Sequence, residues 1–482
     1  MHSNSVLRFI GILIIFLGLS MFLPLVVSFI YGDGSSSSLI LSLIATTSIG
    51  LILFLFTKKS KDTPLNHRDG VAIVTLGWIA AGIAGAIPFL FSGSIHNFSD
   101  ACFESISGFT TTGATILTDI ESIPAGILMW RSITQWLGGM GIIVLSIAVL
   151  PFLGVGGMQL YRAEIPSPVV DKLKPRISDT AKTLWKVYLL ITVLEIVFLL
   201  AGGMSLYDSA CHAFCTMPTG GFSPRNTSIA YYNSAYFDGV IILFMLIAGI
   251  NFSLHYKLIT GEPKVYLKDP ECRVFLSIVS ALIIIVTLDI YGSVYESIFR
   301  AFRYAAFQVS SIISTTGFAT ADYEYWPALS QNIILLCMFL GGMAGSTGGG
   351  LKTMRIILLI KHGYREVFRI VHPHAVTSIK LGGRPVPPDI LSSIWGFFIL
   401  YLSLFVITSF TMSFLGLDLI SSFSSVAACI FNVGPGLGIV GPIDNYMNVP
   451  LAGKWILIFC MLLGRLEIYT VIVLLTPEYW RK

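Results

Sequence analysis

Two apolar runs near the start of the chain, residues 6–31 (VLRFIGILIIFLGLSMFLPLVVSFIY) and 38–56 (SLILSLIATTSIGLILFLF), limit its possible folds more than any other feature. Each is near or above the ~20 residues that a helix needs to cross hydrocarbon. The first is too long for a secretory signal and lacks a small-residue cleavage site. Similar runs recur to the end of the 482 residues, of which 55% are hydrophobic and 12% charged. A soluble protein would carry about a quarter charged residues. The chain therefore reads as an all-α polytopic membrane protein. Ten spans are predicted, near 6–31, 38–57, 71–93, 125–150, 183–204, 237–259, 274–292, 329–361, 389–415 and 451–476.

Charge placement then sets the orientation. With the N-terminus in the cytoplasm, every Lys and Arg falls at an inner end or loop except Arg131, Arg225, Arg300, Arg303, Lys454 and Arg465. The positive-inside rule places both termini in the cytoplasm. Cys102, Cys211, Cys215, Cys272, Cys337, Cys429 and Cys460 lie mostly in apolar segments without framework spacing. They read as small packing residues rather than disulfides. CHAFC at 211–215 matches no standard zinc or haem spacing. HPH at 372–374 reads as a solvated loop.

After the first two spans come four segments too short and too polar to span: DACFESISGFTTTGAT (100–115), DSACHAFCTMPTGGFS (208–223), YAAFQVSSIISTTGFA (304–319) and SSFSSVAACIFNVGPG (421–436). They align without gaps on Gly113, Gly221, Gly317 and Gly434, at spacings of 108, 96 and 117 residues. The preceding position holds Thr112, Gly220, Thr316 and Val433, and the one before that Thr111, Thr219, Thr315 and Asn432. Six residues before the glycine all four are small: Ser107, Cys215, Ser311 and Ala428. Each unit reads as span, short re-entrant helix, Thr/Gly turn, span. The organisation is a two-span N-terminal domain (1–68) and four pore repeats, at 69–180, 181–272, 273–385 and 386–482, around a pseudo-fourfold axis. Internal repeats of this kind mark transport proteins.

Non-helical backbone survives at membrane depth only where it lines a water-filled cavity or is buried in protein. Glycine at positive φ lets neighbouring carbonyls turn towards one axis, and rings of carbonyls replace the hydration shell of an alkali cation. Each short helix aims its partly negative C-terminus at the same place. The turn positions carry no acidic side chains, which disfavours a divalent-cation filter. Glu104, Asp119, Glu121, Asp322 and Glu324 are expected to concentrate cations at the mouth. The competing reading makes each glycine a helix C-cap and nothing more; four turns in register on one side stand against it.

TTTGAT, TGGFS, STTGFA and NVGPGLG, in that order and at these intervals, resemble the four filter segments of the Trk/Ktr/HKT superfamily of potassium transporters. Two additional N-terminal spans make the chain most similar to the larger, Trk-type members. The resemblance implies potassium as the transported ion and no organic cofactor on this chain. Glycine at all four filter positions is the pattern the superfamily associates with potassium. The resemblance also implies a homodimer in the bacterial inner membrane, assembled with a cytoplasmic TrkA-like ring that binds NAD or nucleotide. The second repeat departs most, with Gly220 where a threonine is usual; its backbone carbonyl remains.

GGMAGSTGGGLKT (341–353) looks like a phosphate-binding loop, but Leu351 separates Gly350 from Lys352, and a membrane span precedes it instead of a strand. The better reading is a break in the second span of the third repeat. Gly341, Gly342, Gly345, Ser346, Thr347, Gly348, Gly349 and Gly350 then form an intramembrane gate below the filter, which the superfamily also places there. GGMG at 138–141 reads as close helix packing. Arg465, mid-span in the last helix, is expected in the pore as a cationic barrier. Glu467, two residues on, faces elsewhere, and Glu195 has no assigned role. The basic stretch 352–384 suits a cytoplasmic partner or anionic lipid, and nothing calls for a nucleic acid. An ion-coupled permease for an organic solute is the alternative, but it would show inverted repeats and ligand-specific polar groups. An enzyme ranks last, for want of any catalytic constellation.

Overall fold

The computed structural model describes residues 2–57, 66–148, 177–375 and 377–481. Lys58, Lys59, Lys61, Arg162, Lys172, Lys174, Arg176 and Lys482, all part of the basic inner set, lie outside the described residues.

The chain opens with α1 (Ser3–Ser20), continued after a kink by α2 (Phe22–Tyr31), and α3 (Ser36–Phe56). Small residues let α1 and α3 touch backbone to backbone. A Cβ on Gly50 would lie 2.7 Å from the Ile15 nitrogen, and one on Gly18 would lie 2.5 Å from a Thr47 methyl. In lipid, where no hydrophobic force drives helices together, such close approach supplies the packing energy.

Four units follow. The first is α4 (His67–Phe91), α5 (Phe98–Phe109) and α6 (Ala125–Ala148). The second is α7 (Ile177–Ala201), α8 (Leu206–Thr216), α9 (Ala235–Gly249) and α10 (Phe252–Ile259). The third is α11 (Pro270–Ile290), α12 (Ile298–Ile313), α13 (Ala328–Phe339) and α14 (Thr353–Val371). The fourth is α15 (Pro388–Phe414), α16 (Leu419–Ile430), α17 (Leu451–Arg465) and α18 (Ile468–Leu475). The short helices α5, α8, α12 and α16 form the centre of the molecule. Residues 100–109 of α5 and 305–313 of α12 are all buried. The long helices surround them and turn Leu19, Phe56, Leu288 and Phe414 outward, each more than half exposed, as a lipid-facing surface requires.

Two expected spans are not continuous. Residues 237–259 divide into α9 and α10, bent by 105°, and residues 451–476 divide into α17 and α18, bent by 118°. At the first break Asn251 caps the new helix by accepting a hydrogen bond from the Ser253 N–H. At the second Glu467 adopts φ 56°. Both flanks of each break are apolar, and so a hydropathy profile runs straight through. Arg465 therefore ends a helix instead of sitting mid-span. With α13 ending at Phe339, three of the four units interrupt their second long helix.

Replacing Gly50 with Leu is expected to force α1 from α3 and to destabilise the protein by about 1–3 kcal/mol. The check is the thermal unfolding midpoint in detergent, with Ile49→Leu, on the exposed face, as the control.

Candidate functional site

The four short helices end in the same backbone motif. At the first, Thr112 N–H donates to Ser107 O at 2.9 Å and Thr111 N–H to Gly108 O at 2.9 Å. The pairs Gly220 to Cys215, Thr316 to Ser311 and Val433 to Ala428 repeat the longer bond, each at 2.8 Å. This is the Schellman arrangement, which needs a left-handed residue just past the helix. Here that residue is Thr111 (φ 53°), Thr219 (φ 59°), Thr315 (φ 60°) or Asn432 (φ 56°), and not a glycine. A side chain in that region costs roughly 1–2 kcal/mol. The four small positions noted in the sequence are the carbonyls that accept the longer bond.

Gly113, Gly221, Gly317 and Gly434 lie two residues further on and have positive φ again, from 76° to 99°. They are a second left-handed position, so the C-cap reading does not account for them. What surrounds them does. A Cβ on Gly113 would come within 3.0 Å of Gly220 O, one on Gly221 of Thr316 O, one on Gly317 of Val433 O, and one on Gly434 of Thr112 O. The series closes on itself. Four glycines and four carbonyls from equivalent positions alternate in one ring, so the four turns converge on a common axis. Above them lies a cavity of 170 Å³, lined by all four glycines.

The second repeat's lost threonine has a physical substitute. A Cβ on Gly220 would collide with the Gln135 side chain. The Gln135 amide donates to Gly220 O at 2.6 Å, and its oxygen accepts from the Phe222 N–H at 3.1 Å. Nothing in the local sequence signals this, since the partners are 85 residues apart. Asn432, the only turn residue with an amide, donates to Thr112 Oγ1 at 2.9 Å and so ties the fourth segment to the first.

Glu104, expected at the mouth, is fully buried instead. It accepts from Arg131 Nε at 2.6 Å and from the Ile116 N–H at 2.9 Å. Arg131 also donates to Ser223 O at 2.9 Å and stacks 3.6 Å from the Phe222 ring centroid. The pair braces the first turn against the second. Three more of the six cations outside the inner set answer carboxylates in the same way: Arg225 with Asp208 at 2.8 Å, Arg303 with Asp238 at 2.6 Å and Lys454 with Asp100 at 2.7 Å. Asp119 remains at the surface, where a hydrogen bond from the Asn226 side chain holds its carboxyl below the usual range. Burial raises the Glu324 carboxyl, against a backbone bond from Gly438 that lowers it.

Residues 341–350 form a buried loop beneath the ring, with Gly345 its one exposed residue. Thr347 Oγ1 donates to Met217 O at 2.9 Å, and Gly349 N–H donates to Thr315 Oγ1 at 2.7 Å. Met343 N–H donates to Gly249 O at 2.8 Å, at the break in the second unit. Gly349 packs on Phe431 and Asn432 of the fourth unit, with no room for a Cβ. Arg465 donates to Thr347 O at 2.7 Å and reaches Gly138 O of the first unit at 3.3 Å. Loop and arginine together thus touch all four units directly under the turns. Arg465 is buried, and its Nε has no partner among the described residues. Glu467 pairs with Arg355 at 2.7 Å. Gly138 lies against Phe109 O and Gly139 against Pro218, too close for any side chain. Glu195 is fully buried, with neither oxygen hydrogen-bonded among the described residues. All seven cysteines are buried and free.

Arg131→Met would strand the Glu104 charge in the interior, at a cost of about 3–5 kcal/mol. The double variant Glu104→Leu/Arg131→Met is expected to recover a large part of that loss in thermal unfolding, because both charges leave together.

The family model for TrkH, described as a cation transport protein, matches residues 35–482. Over 486 aligned positions, covering 100% of both chains, the sequence is 46% identical to the Trk system potassium uptake protein TrkH of Escherichia coli (strain K12). It is 42% identical over 487 positions, again with 100% of both chains covered, to the TrkH of Halomonas elongata. The crystal structure of the potassium transporter TrkH from Vibrio parahaemolyticus superimposes with a TM-score of 0.92 at 39% identity and covers 100% of both chains.

Proposed function

The chain belongs to the TrkH family of cation transport proteins, and we propose on that basis that it carries potassium across a bacterial inner membrane through the ring of four turns. The observation that carries this reading is the closed alternation of glycines and carbonyls. The oxygens of Thr112, Gly220, Thr316 and Val433 stand in for the water a dehydrated cation loses. With no carboxylate at the turn positions, the field suits a large monovalent ion. Asp119, Glu121, Asp322 and Glu324 raise the cation concentration at the mouth. Both termini face the cytoplasm, so the turns face outward and the glycine loop lies below them.

The loop 341–350 is the gate, in a closed position. It runs across the axis, anchored to the second, third and fourth repeats, and Arg465, which reaches the first, sets a positive charge beside it that repels cations. The chain works as a homodimer beneath which a TrkA-like ring binds nucleotide or NAD. The stretch 352–384 is where that ring docks. In its helix α14, exposed Ile360, Tyr364 and Val367 alternate with Lys361, Arg365 and Arg369, which supports contact with another protein surface.

Rubidium uptake into liposomes containing the purified chain tests the reading, with potassium and sodium as competitors. Uptake should be blocked by potassium and not by sodium. Gly221→Ala should reduce it by about tenfold or more, since the added methyl meets the Thr316 carbonyl at a strained φ. Deleting 343–349 should raise uptake, and so should Arg465→Ala. If neither rubidium nor potassium moves even through the deletion variant, the filter reading fails and transport of an organic solute takes its place.

A further inference from the structure

Glu271 stands in the first turn of α11 and is fully buried. Its Oε1 accepts two backbone hydrogen bonds, from Ala344 N–H at 2.9 Å and from Met354 N–H at 3.0 Å. The first donor lies inside the glycine loop and the second in the opening turn of α14, where the loop ends. One carboxylate oxygen therefore spans the neck of the loop. Its Oε2 has no hydrogen-bond partner among the described residues.

The neck is otherwise closed by neutral bonds and by the Lys352 ammonium, which donates to Gly348 O. Gly341 N–H donates to Leu351 O at 2.8 Å, Thr353 N–H to Gly342 O at 3.2 Å, and Thr353 Oγ1 to Gly341 O at 3.0 Å. Glu271 Oε1 joins both ends of the neck from the side away from the turns, taking main-chain N–H groups of the loop and of α14 on one atom. Burying a carboxylate is expensive, and a packed leucine would hold two helices together at less cost. The chemistry at this position matches main-chain N–H groups of a segment that has few side chains to grip.

Glu271 is also close to the cytoplasmic surface. Two residues earlier, Asp269 caps the same helix by accepting from Cys272 N–H at 2.8 Å. The segment 260–269 before it carries Lys264 and Lys268. A displacement of that segment is delivered within two residues to the oxygen that holds the loop.

We propose that Glu271 is the latch of the gate, a positioning residue whose carboxylate holds loop 341–350 in its blocking conformation and ties that conformation to the cytoplasmic segment 260–269. The proposal rests on the reading of 341–350 as the gate.

The test measures rubidium uptake by the full chain carrying Glu271→Gln or Glu271→Leu, with and without deletion of 343–349. Glu271→Leu should raise uptake by about tenfold, the scale set by losing two hydrogen bonds to main-chain N–H groups, with potassium preference over sodium unchanged. Glu271→Gln keeps an acceptor oxygen and should fall between. In the loop-deleted chain neither substitution should change uptake further. A purely structural role would lower uptake in both backgrounds. Should Glu271→Leu fail to fold, Ser346→Cys provides a second readout against a background of buried native cysteines. A water-soluble thiol reagent should label it faster when Glu271 is Gln. If loop deletion raises uptake while Glu271→Leu leaves it unchanged, or if labelling is unaffected, the latch is wrong and the gate reading stands. If loop deletion itself changes nothing, it is the gate reading that fails.

Discussion

One backbone hydrogen bond, made four times, underlies the rest of the molecule. It runs from the N–H of Thr112, Gly220, Thr316 or Val433, just past each short helix, to the carbonyl five residues before it, and it forces the residue preceding that N–H into the left-handed region. The turn can then leave the helix sharply, and the next glycine can press against the neighbouring turn. Small residues at 107, 215, 311 and 428 keep that end of each helix slender enough for four to meet. Thr111, Thr219, Thr315 and Asn432 hold their unfavourable backbone angles because the surrounding segments leave no other course.

A ring of bare backbone has little side-chain volume to stabilise it, so its support comes from behind. Gln135 fills the gap left by Gly220, Asn432 reaches across to Thr112, and Arg131 with Glu104 locks two turns together in a dry interior. These supports are all polar and come from elements far apart in sequence. The same economy holds below the ring, where main-chain atoms of the glycine loop are gripped by Thr315, Arg465 and Glu271.

The membrane class and the register of the four turns were legible in the sequence, because apolar run length and a Thr/Gly pattern are local properties. So was the break at 341–350, by its run of glycines, but the other two broken spans were not. Gly249, Asn251 and Glu467 are single residues within apolar surroundings, and composition is blind to a change of direction. Glu104 read as a mouth residue because its partner lies 27 residues away on another helix. The residue that caps each short helix was not legible either, since glycine is the usual left-handed residue there and threonine or asparagine is not. Glu271 gave no signal, for its partners follow 73 and 83 residues later.

The four units share one motif, yet among the described residues only the third has a long glycine loop, only the second has Gly220 backed by an amide, and only the fourth ends its inner helix in a buried arginine. Four identical subunits could not divide the work in this way, since any gate would be built four times and would have to open in concert. Tandem copies in one chain can drift apart while the ring they share stays intact. With the glycine loop as the proposed gate, the broken symmetry lets a single segment block the axis, and a pull on one place is then enough to clear it.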